Sequence, residues 1–265
     1  QTNSLDEDLS KRDLTINAMV LDPGTGKIFD PYNGRRDSRN KIIRAVENPG
    51  SRFKEDPLRL LRAIRFAAQL NFKIHERTFS AISISAPLLS NVAPERIRDE
   101  LLKILMVQKP SGSFNTLART GLLKTFMPEL LEGRLKRQNR YHRYTIFKHI
   151  LKTVDHVKPD PLLRVTALLH DIAKPRIRKK IDGTWRFHGH EKASALLAEE
   201  IMKRLKFSNK MIQDVTHLIK NHLIGYNSEW SDAAVRRLIK RVGTDSIGDL
   251  VTFRKADILA HGKNI

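Results

Sequence analysis

The chain has 265 residues, with 49 Lys and Arg against 29 Asp and Glu, a formal net charge of +20; an excess of that size speaks of polyanionic partners and not of fold. Its 40% apolar content is enough to bury a core, which excludes a disordered basic tail, and its length fits two domains of ordinary size. The absence of cysteine excludes a disulfide scaffold, a thiolate zinc finger and a cysteine nucleophile; with no apolar run long enough for a membrane span and no signal-peptide succession in residues 1–20, the expectation is a cytoplasmic protein that meets nucleic acid.

In chain order, Thr15–Leu21 and Lys27–Asp30 flank the Pro- and Gly-bearing reversal Asp22–Gly26, a pattern that predicts a β-hairpin. A lone hairpin is barely stable in water, so it calls for a larger sheet, and nothing later reads as the missing strands. Helical periodicity takes over after Pro49-Gly50. Asp56 and Pro57 read as N-cap and first position of a helix that carries Leu58, Leu61, Ile64 and Ala68 on one side. Pro94 opens a second helix with Ile97, Leu101, Ile104 and Leu105 as its buried stripe. Pro110, Gly112, Gly121, Pro128 and Gly133 keep any helices between them short, and the basic stretch Leu131–Arg143 reads as a linker. Amphipathic helices follow at roughly 145–157, 161–173, 191–206, 211–223, 232–242 and 248–260. The fold class is therefore mainly α, with one hairpin near the start.

Four constellations carry chemistry. Arg59, Arg62 and Arg65 recur every third residue, so a helix gathers them within about a third of its circumference. They form either a solvated stripe or a phosphate and nucleobase site, since guanidinium groups offer fixed donor forks. Most of the histidines lie in the second half, and His170-Asp171 closes the apolar run Leu162–Leu169, with His149, His188, His190, His217, His222 and Asp257 on flanking segments. Imidazoles and carboxylates gathered from different helices make a divalent-metal site. Asp6-Glu7-Asp8 contains the D-x-D spacing of two-metal phosphoryl chemistry, but in a polar stretch with no strand to fix its geometry. Lys174-Pro-Arg-Ile-Arg-Lys-Lys180 is either a solvated loop or an RNA-backbone contact.

Read together, Arg12-Asp13-Leu-Thr-Ile-Asn17-Ala, Asp30-Pro-Tyr-Asn-Gly34, Glu55-Asp56-Pro-Leu-Arg59-Leu-Leu-Arg62-Ala-Ile-Arg65-Phe66 and Pro94-Glu95-Arg96-Ile-Arg98-Asp-Glu100 resemble motifs B to E of the class II tRNA nucleotidyltransferases and bacterial poly(A) polymerases. His149, His170-Asp171 and Asp257 resemble the ligand pattern of an HD domain. The resemblance implies an incomplete α/β nucleotidyltransferase head over residues 1–37, a helical neck that recognises nucleotides over 38–110, a body or linker over 111–140 and an all-α HD domain over 141–265. It further implies that Arg12 and Asp13 meet the incoming nucleotide and its ribose. Asp56 and Arg59 present Watson–Crick-like groups to cytosine and adenine, Arg62 and Arg65 lie toward the triphosphate, and Asp30–Gly34 is a hinge. Glu95, Arg96 and Arg98 brace the neck. By the same resemblance His149, His170, Asp171 and Asp257 are expected to hold a divalent transition metal; from the charge clusters, Arg134, Lys136, Arg137, Arg140, Lys174, Arg176, Arg178, Lys179 and Lys180 are expected to touch RNA.

The family's motif A, with the metal-binding carboxylates of the transfer step, has no counterpart in this sequence, so the expectation is that the chain is part of a longer polypeptide. The implied activity is addition of CMP and AMP to tRNA 3′ ends from CTP and ATP with Mg²⁺, without a nucleic-acid template. The alternatives are A-adding, CC-adding or polyadenylating activity, a metal-dependent HD phosphohydrolase, and an RNA-binding fragment without activity.

Overall fold

The structure, a computed structural model, describes residues 4–138, 143–224 and 230–262. It divides into two compact units, one of residues 1–107 and 112–126 and the other of 108–111 and 127–265.

The first unit begins with helix α1 (Leu5–Ser10), capped by the Ser4 hydroxyl, and a short 3₁₀ turn at Thr15–Asn17. Strands β1 (Val20–Leu21) and β2 (Ile28–Phe29) pair antiparallel with Val20 opposite Phe29. The hairpin is thus present but shorter than the sequence predicts. Thr15 is held in the 3₁₀ turn because its amide donates to Arg44 O at 2.9 Å and its hydroxyl to Asp37 at 2.7 Å, which takes residues 15–17 out of the strand. Helix α2 (Gly34–Arg39) follows, then β3 (Ile42–Ile43), α3 (Pro49–Glu55), α4 (Arg59–Leu70) and β4 (Lys73–Ile74). β3 and β4 pair in parallel, Ile42 opposite Lys73, so the sequence does hold a further strand pair, too short for period-2 alternation to reveal. Helices α5 (Glu76–Ser85), α6 (Pro94–Leu105), α7 (Ser111–Arg119) and α8 (Leu122–Phe126) continue the chain. α4 packs on α6, and of the predicted stripes Leu58, Leu61, Ile64, Ile97, Leu101, Ile104 and Leu105 are buried, while Ala68, at the far end of α4, is only half-buried.

α4 starts at Arg59 with Leu58 as its N-cap, two residues later than expected. Asp56 ends α3 in an extended conformation (φ −143°, ψ 98°), the region forced on a residue before proline. Its carboxylate still accepts from the Leu58 amide at 3.2 Å, so it tethers the α3–α4 turn. Asp30 does the same for α2, accepting from the Gly34 and Arg35 amides at 2.6 and 2.9 Å. Gly34 is sterically required there, because a Cβ would lie 2.2 Å from Thr15 O.

In the second unit, α9 (Pro128–Leu131) leads into residues that the sequence presents as a linker but that are hydrogen-bonded to the start of α10 (Ile146–His156): Ile146 N donates to Lys136 O and Phe147 N to Gly133 O. α11 (Pro161–Leu169), capped by Asp160 with Pro161 at N1, buries every residue from Leu163 to Leu169, including Arg164, whose Nε donates to Val157 O at 2.8 Å, and Thr166, whose hydroxyl donates to Leu162 O at 2.8 Å. Then come α12 (Lys174–Ile177), the antiparallel hairpin β5 (Lys179–Ile181) and β6 (Thr184–Arg186), α13 (His190–Arg204), α14 (Asn209–Asn221), α15 (Asp232–Val242) and α16 (Thr244–Leu259). α10, α13, α14 and α16 all pack against α11, which places its C-terminal end among four other helices. No helix of the described residues is long and apolar enough to cross a membrane.

Candidate nucleotide cleft and metal centre

In the first unit an open cleft of about 560 Å³ is lined by Lys11, Arg12, Asp13, Asn17, Asp56, Leu58, Arg59, Arg62, Phe66 and Arg96. Five of the six residues expected to touch nucleotide are therefore brought together from α4, from the α3–α4 turn and from the stretch that follows α1. Asp13 is buried and its carboxylate accepts from Arg62 Nε at 2.7 Å, from Asn17 Nδ2 at 3.2 Å and from the Leu14 amide at 2.9 Å. Burial pushes that carboxyl up, but Arg62, Asn17 and Leu14 outweigh it and hold it below the usual carboxylate value. Arg59 donates to Glu55 Oε2 at 3.0 Å and to Lys11 O at 2.7 Å. The Asp56 carboxylate pairs with Arg96 Nη2 at 2.9 Å.

Two placements differ from expectation. Arg65 does not reach the cleft: it turns into the neck, donates to Glu100 at 2.7 Å and Gln69 at 2.8 Å, and lies 4.0 Å from the Phe66 ring. The three-residue spacing on a 3.6-residue helix drifts far enough by the third arginine to put it on the buried side. Arg96, expected only to brace the neck, lines the cleft and touches Asp56 directly. Asp6 and Asp8 sit on exposed α1, where Asp8 pairs with Arg12 at 2.6 Å, and no ligand cluster forms around them among the described residues. These residues do not fit a catalytic Mg²⁺ pair.

The second unit holds a buried histidine–aspartate cluster at the end of α11. His149, His170, Asp171, Asp257, His190 and His222 are each at most 7% exposed. The backbone fixes three of the imidazoles: Nδ1 of His170, His190 and His222 lies 2.7–2.9 Å from the carbonyl three residues earlier. A carbonyl only accepts, so each Nδ1 is the protonated nitrogen and each Nε2 faces the cluster. There Nε2 of His170 lies 3.4 Å from that of His149, and Nε2 of His190 lies 3.3 Å from that of His222. Asp171 spans the two pairs, Oδ2 toward His149 and His170 (3.3 and 3.2 Å) and Oδ1 toward His190 at 3.4 Å. Asp257 approaches His149 at 3.0 Å.

Facing lone pairs and a buried Asp171 Oδ1 without a hydrogen-bond partner are the signature of a cation position, and the residues fit a divalent ion on each side of Asp171. Without one, burial lowers the His170 pKa but Asp171 and Asp257 override it and lift it to about 9, while burial and the His170 charge push His222 down to about 3. The resemblance singles out four of these ligands; the sequence places His190 and His222 among several flanking histidines, and only their alignment with Asp171 across α13 and α14, visible in the fold, separates them from His188 and His217.

The basic residues divide. Lys174, expected on RNA, is buried and pairs with Asp171 Oδ2 at 2.6 Å, so it belongs to the metal centre. Arg176 pairs with Glu132 at 2.7 Å, and the Lys136 ammonium donates to Pro175 O at 3.1 Å. Arg134, Arg178, Lys179 and Lys180 lie outside the cluster, and Arg137 bridges Thr145 through its backbone. Arg140 lies outside the described residues.

Three family matches cover most of the chain: "Poly A polymerase head domain" at residues 1–44, "Probable RNA and SrmB-binding site of polymerase A" at 71–133 and "HD domain" at 141–260. The A-adding tRNA nucleotidyltransferase of Deinococcus radiodurans is 34% identical over 96% of the chain and 60% of the relative. A multifunctional CCA protein of Herminiimonas arsenicoxydans is 39% identical over 78% of the chain and 50% of the relative. The chain thus spans half to three-fifths of these relatives. The crystal structure of the Bacillus stearothermophilus CCA-adding enzyme in complex with CTP superposes with a TM-score of 0.65 at 25% identity, over 96% of this chain and 55% of that one. That of the Thermotoga maritima CCA-adding enzyme complexed with tRNA, at 22% identity and a TM-score of 0.59, shares the fold.

Proposed function

The chain belongs to the tRNA nucleotidyltransferase and poly(A) polymerase family and carries an HD domain, and from that premise we propose that it is the nucleotide-selecting part of an enzyme adding CMP and AMP to tRNA 3′ ends from CTP and ATP. The observation that carries this reading is the convergence of Asp13, Asp56, Arg59, Arg62 and Arg96 on one cleft. A carboxylate accepts from the exocyclic amine that cytosine and adenine share, and a guanidinium donates to a ring nitrogen or carbonyl oxygen. Asp56 and Arg59 supply that pair, while Asp13, kept ionised by Arg62, is an acceptor for a ribose hydroxyl. Arg62 and Lys11 offer positive charge to the triphosphate. Mg²⁺ supplies the electrophilic activation of the α-phosphate in this chemistry, and the cleft residues described here bind and orient the nucleotide only.

The test is incubation of the full-length protein with tRNA lacking its terminal nucleotides, giving CTP and ATP separately and together. Ordered incorporation of C, C and A supports complete addition, A alone on tRNA ending in CC supports an A-adding enzyme, and unlimited A supports a poly(A) polymerase. No incorporation of either nucleotide sinks the proposal.

A second activity is favoured by the histidine–aspartate cluster. His149, His170, Asp171 and Asp257 would hold one divalent ion and His190, His222 and the other oxygen of Asp171 a second. Such an ion supplies Lewis-acid polarisation of a phosphate ester. Lys174 adds a positive charge beside Asp171, and an opening of about 390 Å³ lined by Lys174, Phe187, His188 and Arg254 admits the substrate. We read this centre as a phosphohydrolase site. Hydrolysis of a model phosphodiester that needs added Mn²⁺, Ni²⁺ or Mg²⁺ and is lost in Asp171→Asn is the supporting result; equal activity in the variant overturns it.

A further inference from the structure

The β5–β6 hairpin is inserted between the two halves of the metal cluster, after His170-Asp171 and before His190. It is rooted in the cluster's opening at both ends, since Lys174 precedes it and Arg186, Phe187 and His188 end it, and all four line that opening. Its turn is Asp182-Gly183, both residues with positive φ (48° and 73°), the tight reversal that matches the natural twist of a two-stranded ribbon. Arg178 packs its guanidinium 4.1 Å from the Trp185 ring and stiffens the base of the ribbon.

The charges on this ribbon are unusual. Lys179 and Arg186 are register partners, so two cations stand directly opposite each other on one face, an arrangement that costs stability by itself. Lys180 follows on the other face. Among the described residues none of the three forms an ion pair, and the turn's Asp182 is the ribbon's one carboxylate. Repelling cations kept without a counter-charge, on a stiff ribbon ending in the opening of a phosphoester centre, fit a polyanion that carries phosphate esters along its length. An acidic peptide would satisfy the charges but bring no phosphate ester to the cluster.

We infer that this hairpin guides a single-stranded RNA end into the HD opening, with Lys179 and Arg186 clasping backbone phosphates, so that the centre's substrate class is a polynucleotide terminus and not a free mononucleotide. The inference rests on the phosphohydrolase reading above for what happens inside the opening, but the guiding contact is measurable without turnover.

The experiment uses the full chain and a fluorescein-labelled ten-nucleotide oligoadenylate. Binding is followed by anisotropy across a salt series for the parent and for Lys179→Ala/Arg186→Ala. Loss of two single-strand phosphate contacts lowers the slope of log K against log salt by about 1.4 and weakens binding about 25-fold at 0.1 M salt. The same oligonucleotide should inhibit Mn²⁺-dependent hydrolysis of bis(4-nitrophenyl) phosphate by the parent, and inhibit the double variant correspondingly less. An unchanged salt slope, binding without inhibition, or polyglutamate displacing the RNA at equal charge each overturns the inference. If Asp171→Asn leaves hydrolysis intact, the phosphohydrolase reading fails by itself, and the salt slope still decides whether the hairpin holds RNA.

Discussion

Arg62 Nε donates to Asp13 Oδ2 at 2.7 Å across 49 residues of sequence, joining α4 to the segment that precedes the first hairpin. The bond leaves one face of each group in the cleft, Arg62 being about one-third exposed and Asp13 only 7%. Asp13→Asn should keep the shape and lose the charge. The expected outcome is a higher KM for both CTP and ATP, with base preference retained, measured by nucleotide incorporation. A change confined to one base would contradict a ribose-side role. The pH dependence has a definite sign: because the folded carboxyl titrates below its ordinary value, its stabilising contribution is complete above the unfolded carboxylate pKa and is lost as pH falls through the folded one. The acid limb of a thermal-melting series should therefore flatten in Asp13→Asn.

Asp56 and Arg59 both have partners within the chain, one Arg96 and the other Glu55 and Lys11 O. Arg59→Ala should damage discrimination between nucleotides more than it damages triphosphate binding. Comparing kcat/KM for CTP, ATP, UTP and GTP checks this, and an equal loss for all four nucleotides would contradict the template role.

Arg65 predicts a different phenotype from its two neighbours on α4. Its partner Glu100 is 3% exposed in its side chain and is otherwise reached by Lys103 at 3.0 Å. Arg65→Met leaves a buried carboxylate poorly compensated, so a loss of roughly 3 kcal/mol in chemical denaturation is expected. KM values at a temperature where the variant stays folded should not move. A KM effect matching that of Arg62→Ala would return Arg65 to the nucleotide site.

Gly34→Ala forces a Cβ against Thr15 O and the Met19 side chain. Backbone must shift, and overpacking of this kind costs about 1–3 kcal/mol. Thermal melting should show the loss, with no difference between C and A incorporation once the stability change is allowed for.

At the histidine cluster the measurement is metal-dependent stability. An ion that binds the folded chain alone raises its melting temperature with concentration. Mn²⁺ or Ni²⁺ should do so in the parent and a chelator should reverse it. His190→Ala should remove only part of the effect if two ions bind, whereas Asp171→Asn should remove nearly all of it, since its oxygens face both histidine pairs.

What is legible in the sequence follows period and motif. The long amphipathic helices and the α4 and α6 stripes can be read from residue spacing, because burial on one face writes a 3.6-residue period; spacing leaves the arginines of α4 open between a solvated stripe and a nucleotide site, and the cleft residues of the Glu55-Asp56…Arg59 signature are marked only by the family resemblance. Short elements leave no such trace. β3 and β4 are two residues each and gain their meaning from pairing across the chain. The β5–β6 ribbon is readable from Asp182-Gly183 between Ile181 and Thr184, the strongest short hairpin signal, but the surrounding lysines and arginines draw attention as charge. Lys174 shows the same effect, since its place in a basic run says surface and only the fold turns it toward Asp171. His190 and His222 stand 32 residues apart, and nothing local marks them as partners.

The parallel pairing of Ile42–Ile43 with Lys73–Ile74 has a bearing on engineering. Everything between those strands, residues 44–72 with α3, α4, Asp56, Arg59 and Arg62, leaves and returns at two adjacent points held by the Lys41 O to Lys73 N and Ile43 O to His75 N bonds. Neighbouring strands lie about 4.8 Å apart. The segment is therefore a cassette with paired ends: on the proposed roles of Asp56 and Arg59, grafting the corresponding stretch of an A-adding relative between the same two strands should carry base choice with it without redesign of the surrounding scaffold.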